Sequence, residues 1–200
     1  MKKSELVVEL GMEEIPASMI ADAAEQFAGL LGRALEEHRL PAGERTLWYT
    51  PRRIILGLED VPVRQGDLEE TIMGPPRRVA YDAAGNPTRA ALAFAEKNGV
   101  PLAKIGVVAT PKGEYLSLVR RMRGEPAVRI LQRLIPDAIG AIQFPKTMHW
   151  SPDRFRFARP VRWIVALFGG RVVKFRLADV VSSRIPSGHR FLGRSRIAVH

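Results

Sequence analysis

Cysteine is absent from the 200 residues, which excludes disulfides, a thiolate zinc site and a cysteine nucleophile. Histidine is scarce and scattered, at positions 38, 149, 189 and 200. Only Asp153 and Asp179 accompany the last three, so no metal site is expected. No apolar run approaches the roughly 18 residues that a helix needs to cross a bilayer. The opening MKKSELVVELG carries Glu5 and Glu9 inside its apolar run, unlike a secretory leader. A cytoplasmic protein with no membrane partner is therefore expected. GxxxxGK[ST], GxGxxG after a strand, HExxH and GxSxG are all missing, so none of the chemistries those motifs carry is anticipated. Negative charge is missing from one half. Residues 1–100 hold 12 Lys and Arg against 16 Asp and Glu, and residues 101–200 hold 19 against 5. The halves thus carry −4 and +14 and make up the net +10. A basic field on one side attracts polyanions, with nucleic acid the leading candidate.

What is abundant is concentrated in Phe144–Phe168, FPKTMHWSPDRFRFARPVRWIVALF. Its second part, Val161–Phe168, reads as a buried strand, apolar and β-branched with one charge at Arg162. Its first part holds Pro145, Pro152 and Pro160, which exclude helix and disfavour a central strand. There Lys146, His149, Arg154, Arg156 and Arg159 alternate with Trp150, Phe155 and Phe157. Such interleaving suits cations on phosphate and rings on bases or a protein partner. Equally, the rings could be core and the arginines a solvated face.

The rest of the chain reads as short elements. Ser4–Leu10 alternates as a strand, and Gly11–Pro16 reads as an acidic turn. Ala17 to about Arg39 has the 3.6-residue stripe of a helix (Ile20, Ala24, Phe27, Leu31, Leu35, His38), ended by Pro41 and Gly43. Thr46–Thr50 and Arg53–Leu58 are expected strands, joined at a cationic corner. Residues 61–70 read as a polar link, and Met73–Arg78, MGPPRR, as irregular. Thr88–Asn98 is a helix with Thr88 as N-cap and Gly99 at the left-handed position beyond its end. Ile105–Ala109 and Glu114–Arg121 form a hairpin around TPKG. Glu125–Ile142 is a third helix, which Pro136 should kink or split. Val161–Phe168 turns at Gly169-Gly170 into a strand Arg171–Leu177, and residues 182–193 form a basic loop. Ile197–His200 looks like a strand cut short. Two regions are expected, 1–143 and a basic, aromatic 144–200, within the same domain. The class is α+β, with about three helices and largely antiparallel strands.

Candidate chemistry is sparse. Glu9, Glu13 and Glu14 could do acid–base work or hold Mg²⁺, or simply favour the positive end of the next helix. Arg52 and Arg53 could grip phosphate, or pair with the acids nearby. His189 and Arg190 lie in a loop that could meet a base or phosphate.

Taken together, LVVELGMEEIP (6–16), TPRRI (50–54), GPP (74–76), AFAEKNGV (93–100), KGEY (112–115), FPKTMHW (144–150), RPVRWIVALFG (159–169) and GHRFLG (188–193) resemble the β subunit of bacterial heterotetrameric glycyl-tRNA synthetase. Met12, Thr147, His149 and Ser187 depart from the usual family residues. The resemblance implies the amino-terminal portion of a longer chain, similar in architecture to the editing-type domain of the phenylalanyl-tRNA synthetase β subunit. It implies a non-catalytic, tRNA-contacting role in a ligase that charges tRNA(Gly) with glycine, using ATP and Mg²⁺ on a separate α subunit. The implied partners are that α subunit, the tRNA and the remainder of the β chain. No catalytic residue carries over. Candidate RNA contacts are Lys146, His149, Arg154, Arg156, Arg159, Arg162, His189 and Arg190, with Arg52 and Arg53 as a phosphate corner. Two alternatives stand beside this: a docking module anchored by Trp150 and Phe155, and an editing hydrolase using Glu13, Glu14 and His189.

Overall fold

A computed structural model describes residues 2–149 and 155–187. In chain order the elements are β1 (Lys3–Met12), α1 (Ala17–Glu37), β2 (Arg45–Thr50), β3 (Arg53–Pro62), β4 (Leu68–Pro76), α2 (Arg77–Ala80), α3 (Arg89–Lys97), β5 (Gly106–Thr110), β6 (Gly113–Met122), α4 (Ala127–Gly140), β7 (Met148–His149), β8 (Arg156–Phe157), β9 (Val161–Phe168), β10 (Arg171–Val172), β11 (Arg176–Leu177) and β12 (Val180–Val181). The α+β class with antiparallel pairing holds. The chain makes two compact units, one from the residues up to Gly66 and again from Glu125, the other Asp67–Gly124. Where the first unit resumes, the Gln65 amide donates to the Glu125 carbonyl at 2.9 Å.

The first unit is a five-stranded antiparallel sheet in the order β10-β9-β1-β3-β2. β1 lies at its centre, with Leu10 opposite both Ile54 and Ile164. Alternation assigns the faces. Leu6, Val8, Leu10 and Met12 share one face with Ile54, Leu56, Ile164, Ala166 and Phe168. That face forms one buried core with Phe27, Leu31 and Leu35 of α1 and Ile130, Leu131 and Ile135 of α4. The α1 stripe is the expected one, except that His38 caps the end, its Nδ1 2.8 Å from the Ala34 carbonyl oxygen. Arg39 then takes the left-handed turn (φ 56°) normally given to glycine. The helix expected over 125–142 forms as α4, and Pro136 does not split it.

The Gly169-Gly170 hairpin forms, both glycines at positive φ (54° and 73°) with Phe168 opposite Arg171. Its second strand is shorter than expected. Ladder pairing to β9 stops at Val172, and β11 pairs instead with β12. The buried Ser182 hydroxyl takes over there: it accepts from the Phe175 amide at 2.9 Å and donates to the Val173 carbonyl at 2.7 Å. The side-chain alternation survives, with Val173, Phe175 and Leu177 buried. Gly11 and Met12, expected in a turn, continue β1, with a bulge between them on the β9 side.

The second unit is a three-stranded antiparallel sheet, β4-β6-β5, packed on α2 and α3 through Ala80, Ala91 and Leu116. The expected hairpin is β5–β6, and Thr88 caps α3 by accepting from the Ala90 amide at 3.3 Å. The GPP stretch, expected to be irregular, ends β4, and residues 61–70 give their outer parts to β3 and β4. Edge strands tolerate proline, and the register slips between Met73 and Pro76 to accommodate it. Gly74 is required there, because a Cβ would stand 2.9 Å from the Phe94 ring.

Candidate nucleic-acid interface

Arg52, Arg53, Arg159 and Arg162 gather with Glu9, Glu13 and Glu14 at one end of the first unit's sheet. Gly11 is opposite Arg53 on one side and Trp163 on the other, so those side chains leave the face away from the helices. The Trp163 indole fills the space where a Cβ on Gly11 would stand. Its Nε1 donates to Glu9 Oε1 at 2.7 Å, and the same oxygen is 3.3 Å from an Arg53 guanidinium nitrogen. Arg53 also sits 5.5 Å above the Trp163 ring and donates to the Ser187 carbonyl at 2.7 Å. Glu9 is only 6 % exposed. A carboxylate so far from water needs such donors, and Trp163 and Arg53 supply them.

Around this node the acidic turn meets the arginines. Arg162 Nε donates to Glu13 Oε1 at 2.7 Å, and Arg52 lies 3.7 Å from Glu13 and 3.4 Å from Glu14. Arg159 donates to the Glu14 backbone carbonyl at 3.2 Å. Arg52 and Arg53 thus lie beside the nearby acids, and Arg162 joins them. Glu13 and Glu14 face arginines.

The other nominated cations are held differently. His149 is opposite Arg156 in the short β7–β8 ribbon, and Arg156 Nε donates to Thr147 Oγ1 at 3.2 Å. Lys146, Arg156 and Arg159 are exposed, and none has a carboxylate partner among the described residues. The rings between them serve the core. Phe157 is buried, edge-on to Phe144 at 4.7 Å and stacked with Phe155 at 6.0 Å. Trp150, Arg154, His189, Arg190 and the strand expected at 197–200 lie outside the described residues.

Sequence reasoning missed Trp163 and the role of Glu9. The only signal was a glutamate within the apolar run of β1, and its partners follow from strand register. Among the described residues no group of three His, Asp or Glu could hold a metal ion, and no helix is long and apolar enough to cross a membrane.

Residues 6–200 match the family model described as glycyl-tRNA synthetase beta subunit. The chain belongs to that family. It is 42 % identical over 189 residues to the glycine–tRNA ligase beta subunit of Syntrophus aciditrophicus, covering 94 % of this chain and 27 % of the relative. It is 44 % identical over 195 residues to the protein of the same name from Geobacter metallireducens, covering 98 % of this chain and 28 % of the relative. The chain thus spans little more than a quarter of the length of these relatives.

Proposed function

We propose that this chain is a tRNA-contacting, non-catalytic part of a glycine–tRNA ligase β subunit. It supports ATP-dependent charging of tRNA(Gly) in the cytoplasm, on an α subunit that holds the ATP and Mg²⁺. Besides the family, the observation that carries the reading is the exposed set Lys146, Arg156 and Arg159, which no described carboxylate neutralises. Cations presented in this way position an RNA backbone without reading its sequence. The test is filter retention of tRNA(Gly) at a series of salt concentrations. Replacing all three by Ala should weaken retention of many tRNAs alike. It should also flatten the plot of log K against log[salt] by about 2–3, close to one for each phosphate that the variant no longer neutralises. Unchanged retention defeats the reading.

A second reading, docking to the α subunit or to the rest of the β chain, is favoured by the sheet face away from the helices. Trp48 on β2 is 58 % exposed there, opposite the half-buried Ile55. Exposed aromatics of this kind anchor protein interfaces. On this reading Trp48→Ala releases the α subunit in pull-down while tRNA retention stays as it was.

A further inference from the structure

Arg52, Arg159 and Arg162 converge on the turn that carries Glu13 and Glu14; Arg159 and Arg162 find hydrogen-bond acceptors there, and Arg52 lies beside both carboxylates. The acceptors fit unequally. Arg162 makes a short hydrogen bond to Glu13. Arg52 does not: its Nε is buried with no hydrogen-bond partner among the described residues, although a Glu14 oxygen lies 3.4 Å away. The Glu14 carboxylate covers this donor without accepting from it, and a buried donor left in that condition favours any acceptor that aligns better. Glu14 and Arg162 are more than half exposed, so water and salt weaken these pairs. Arg52 reaches the turn from the β3 side and Arg162 from the β9 side, and both meet at Glu13. Such a convergence suits a tetrahedral anion, whose oxygens accept from several planar forks at once.

We propose that this cluster is a phosphate site occupied by the protein's own carboxylates. Glu13 and Glu14 stand in for the oxygens of an RNA phosphodiester, which displaces them and takes the donors of Arg52 and Arg162, while Arg159, held by the Glu14 backbone carbonyl, adds its positive charge beside them. The inference rests on the RNA-contacting reading and adds a second contact region to Lys146 and Arg156. It also gives the acidic turn a role: while no RNA is bound, the carboxylates keep the arginines extended and aimed together.

The double variant Glu13→Gln, Glu14→Gln tests it, with tRNA(Gly) retention as the readout. Without the competing carboxylates, retention at low salt should rise about three- to tenfold, the range expected when weak surface pairs are removed from competition. Removing two negative charges anywhere raises affinity for a polyanion somewhat, so Glu36→Gln, Glu37→Gln is the matched control. Those two acids are exposed near the end of α1 and make no ion pair among the described residues. The gain at the turn should exceed the control, and it should vanish when Arg52 and Arg162 are already alanine. Circular dichroism on each variant checks the fold, and Glu14→Gln alone serves if the double variant folds poorly. A gain no larger than the control overturns the inference, as does a gain that persists without the arginines. If the wild-type chain retains tRNA normally while the gain is missing, only this site fails. If neither wild type nor variant retains tRNA, the RNA-contacting reading fails and takes the site with it.

Discussion

The Trp163 indole rests so closely on Gly11 that a Cβ added at residue 11 would stand 1.9 Å from Trp163 Cε2. Glycine in a central strand usually weakens it. Here the missing side chain is the space that the indole fills, and the indole in turn orients Glu9 and Arg53. Gly11→Ala is therefore expected to push Trp163 off its seat and to destabilise the first unit by about 1–3 kcal/mol, as overpacking does. A urea melt followed by tryptophan near-UV circular dichroism measures this. Gly11→Ala with Trp163→Leu should recover part of the loss, and a fully additive double variant would show that the two residues do not touch.

Glu9 and Arg53 should respond unequally to substitution. Arg53→Ala leaves a buried carboxylate with Trp163 as its remaining side-chain donor. The expected cost is about 3 kcal/mol, at the low end for a broken buried pair because Arg53 is partly exposed. Glu9→Gln keeps an acceptor for the indole and removes the charge, so its cost should be about 1–2 kcal/mol. Equal losses in the two variants would mean that the charge of Glu9 is not what Arg53 balances.

The two hairpin glycines separate backbone strain from crowding. Gly170 has φ +73° with open space where a Cβ would go, whereas a Cβ on Gly169 (φ +54°) would meet Ser4 Oγ at 2.9 Å. Gly170→Ala should cost about 1 kcal/mol from conformation alone. Gly169→Ala should cost more, and adding Ser4→Ala should return part of the excess, since the Ser4 Cβ would still stand 3.2 Å away. Thermal denaturation of the four proteins settles it.

In the second unit the Asp82 carboxyl titrates below the ordinary aspartate value, chiefly because the Asn86 backbone amide donates to it, with the Asn86 side chain and the Ala84 amide adding to the effect. A carboxyl whose folded pKa is depressed binds protons more readily in the unfolded chain, so its contribution is complete above the unfolded value, near 3.8. That contribution is lost as pH falls through the lower folded value. The stability gap between wild type and Asp82→Asn should therefore be constant around neutrality and close below about pH 4. Carboxyl NMR should place the Asp82 midpoint under that of an unfolded peptide, and a midpoint at or above it would contradict the turn's geometry.

Much of this fold was legible because its signals are local. The α1 stripe, the Thr88 cap, the TPKG hairpin and the Gly169-Gly170 turn each depend on residues within a few positions of one another. Errors fell where a distant residue decided the outcome. Gly11 read as a turn because nothing near it in sequence reveals Trp163. Pro75 and Pro76 read as irregular because the edge position of β4 is set by its pairing with β6. The strand after Gly170 read as continuous because the Ser182 hydroxyl that interrupts it comes from the next segment.

The candidate site divides in the same way. Composition alone showed the basic second half, and the family motifs are written in the sequence. Which arginines face acids was a question of register. Strand pairing brings Arg52, Arg53 and Arg162 to Glu9, Glu13 and Glu14 from far along the chain, 149 positions away for Arg162 and Glu13. It leaves Lys146, Arg156 and Arg159 without a described carboxylate. The sequence by itself determined the elements, the charge and the kinship, because each is a property of short stretches or of simple counts. Only the tertiary structure decided which charges cancel, because Coulomb attraction depends on distance in space, and that distance is fixed when β1 takes its place between β3 and β9.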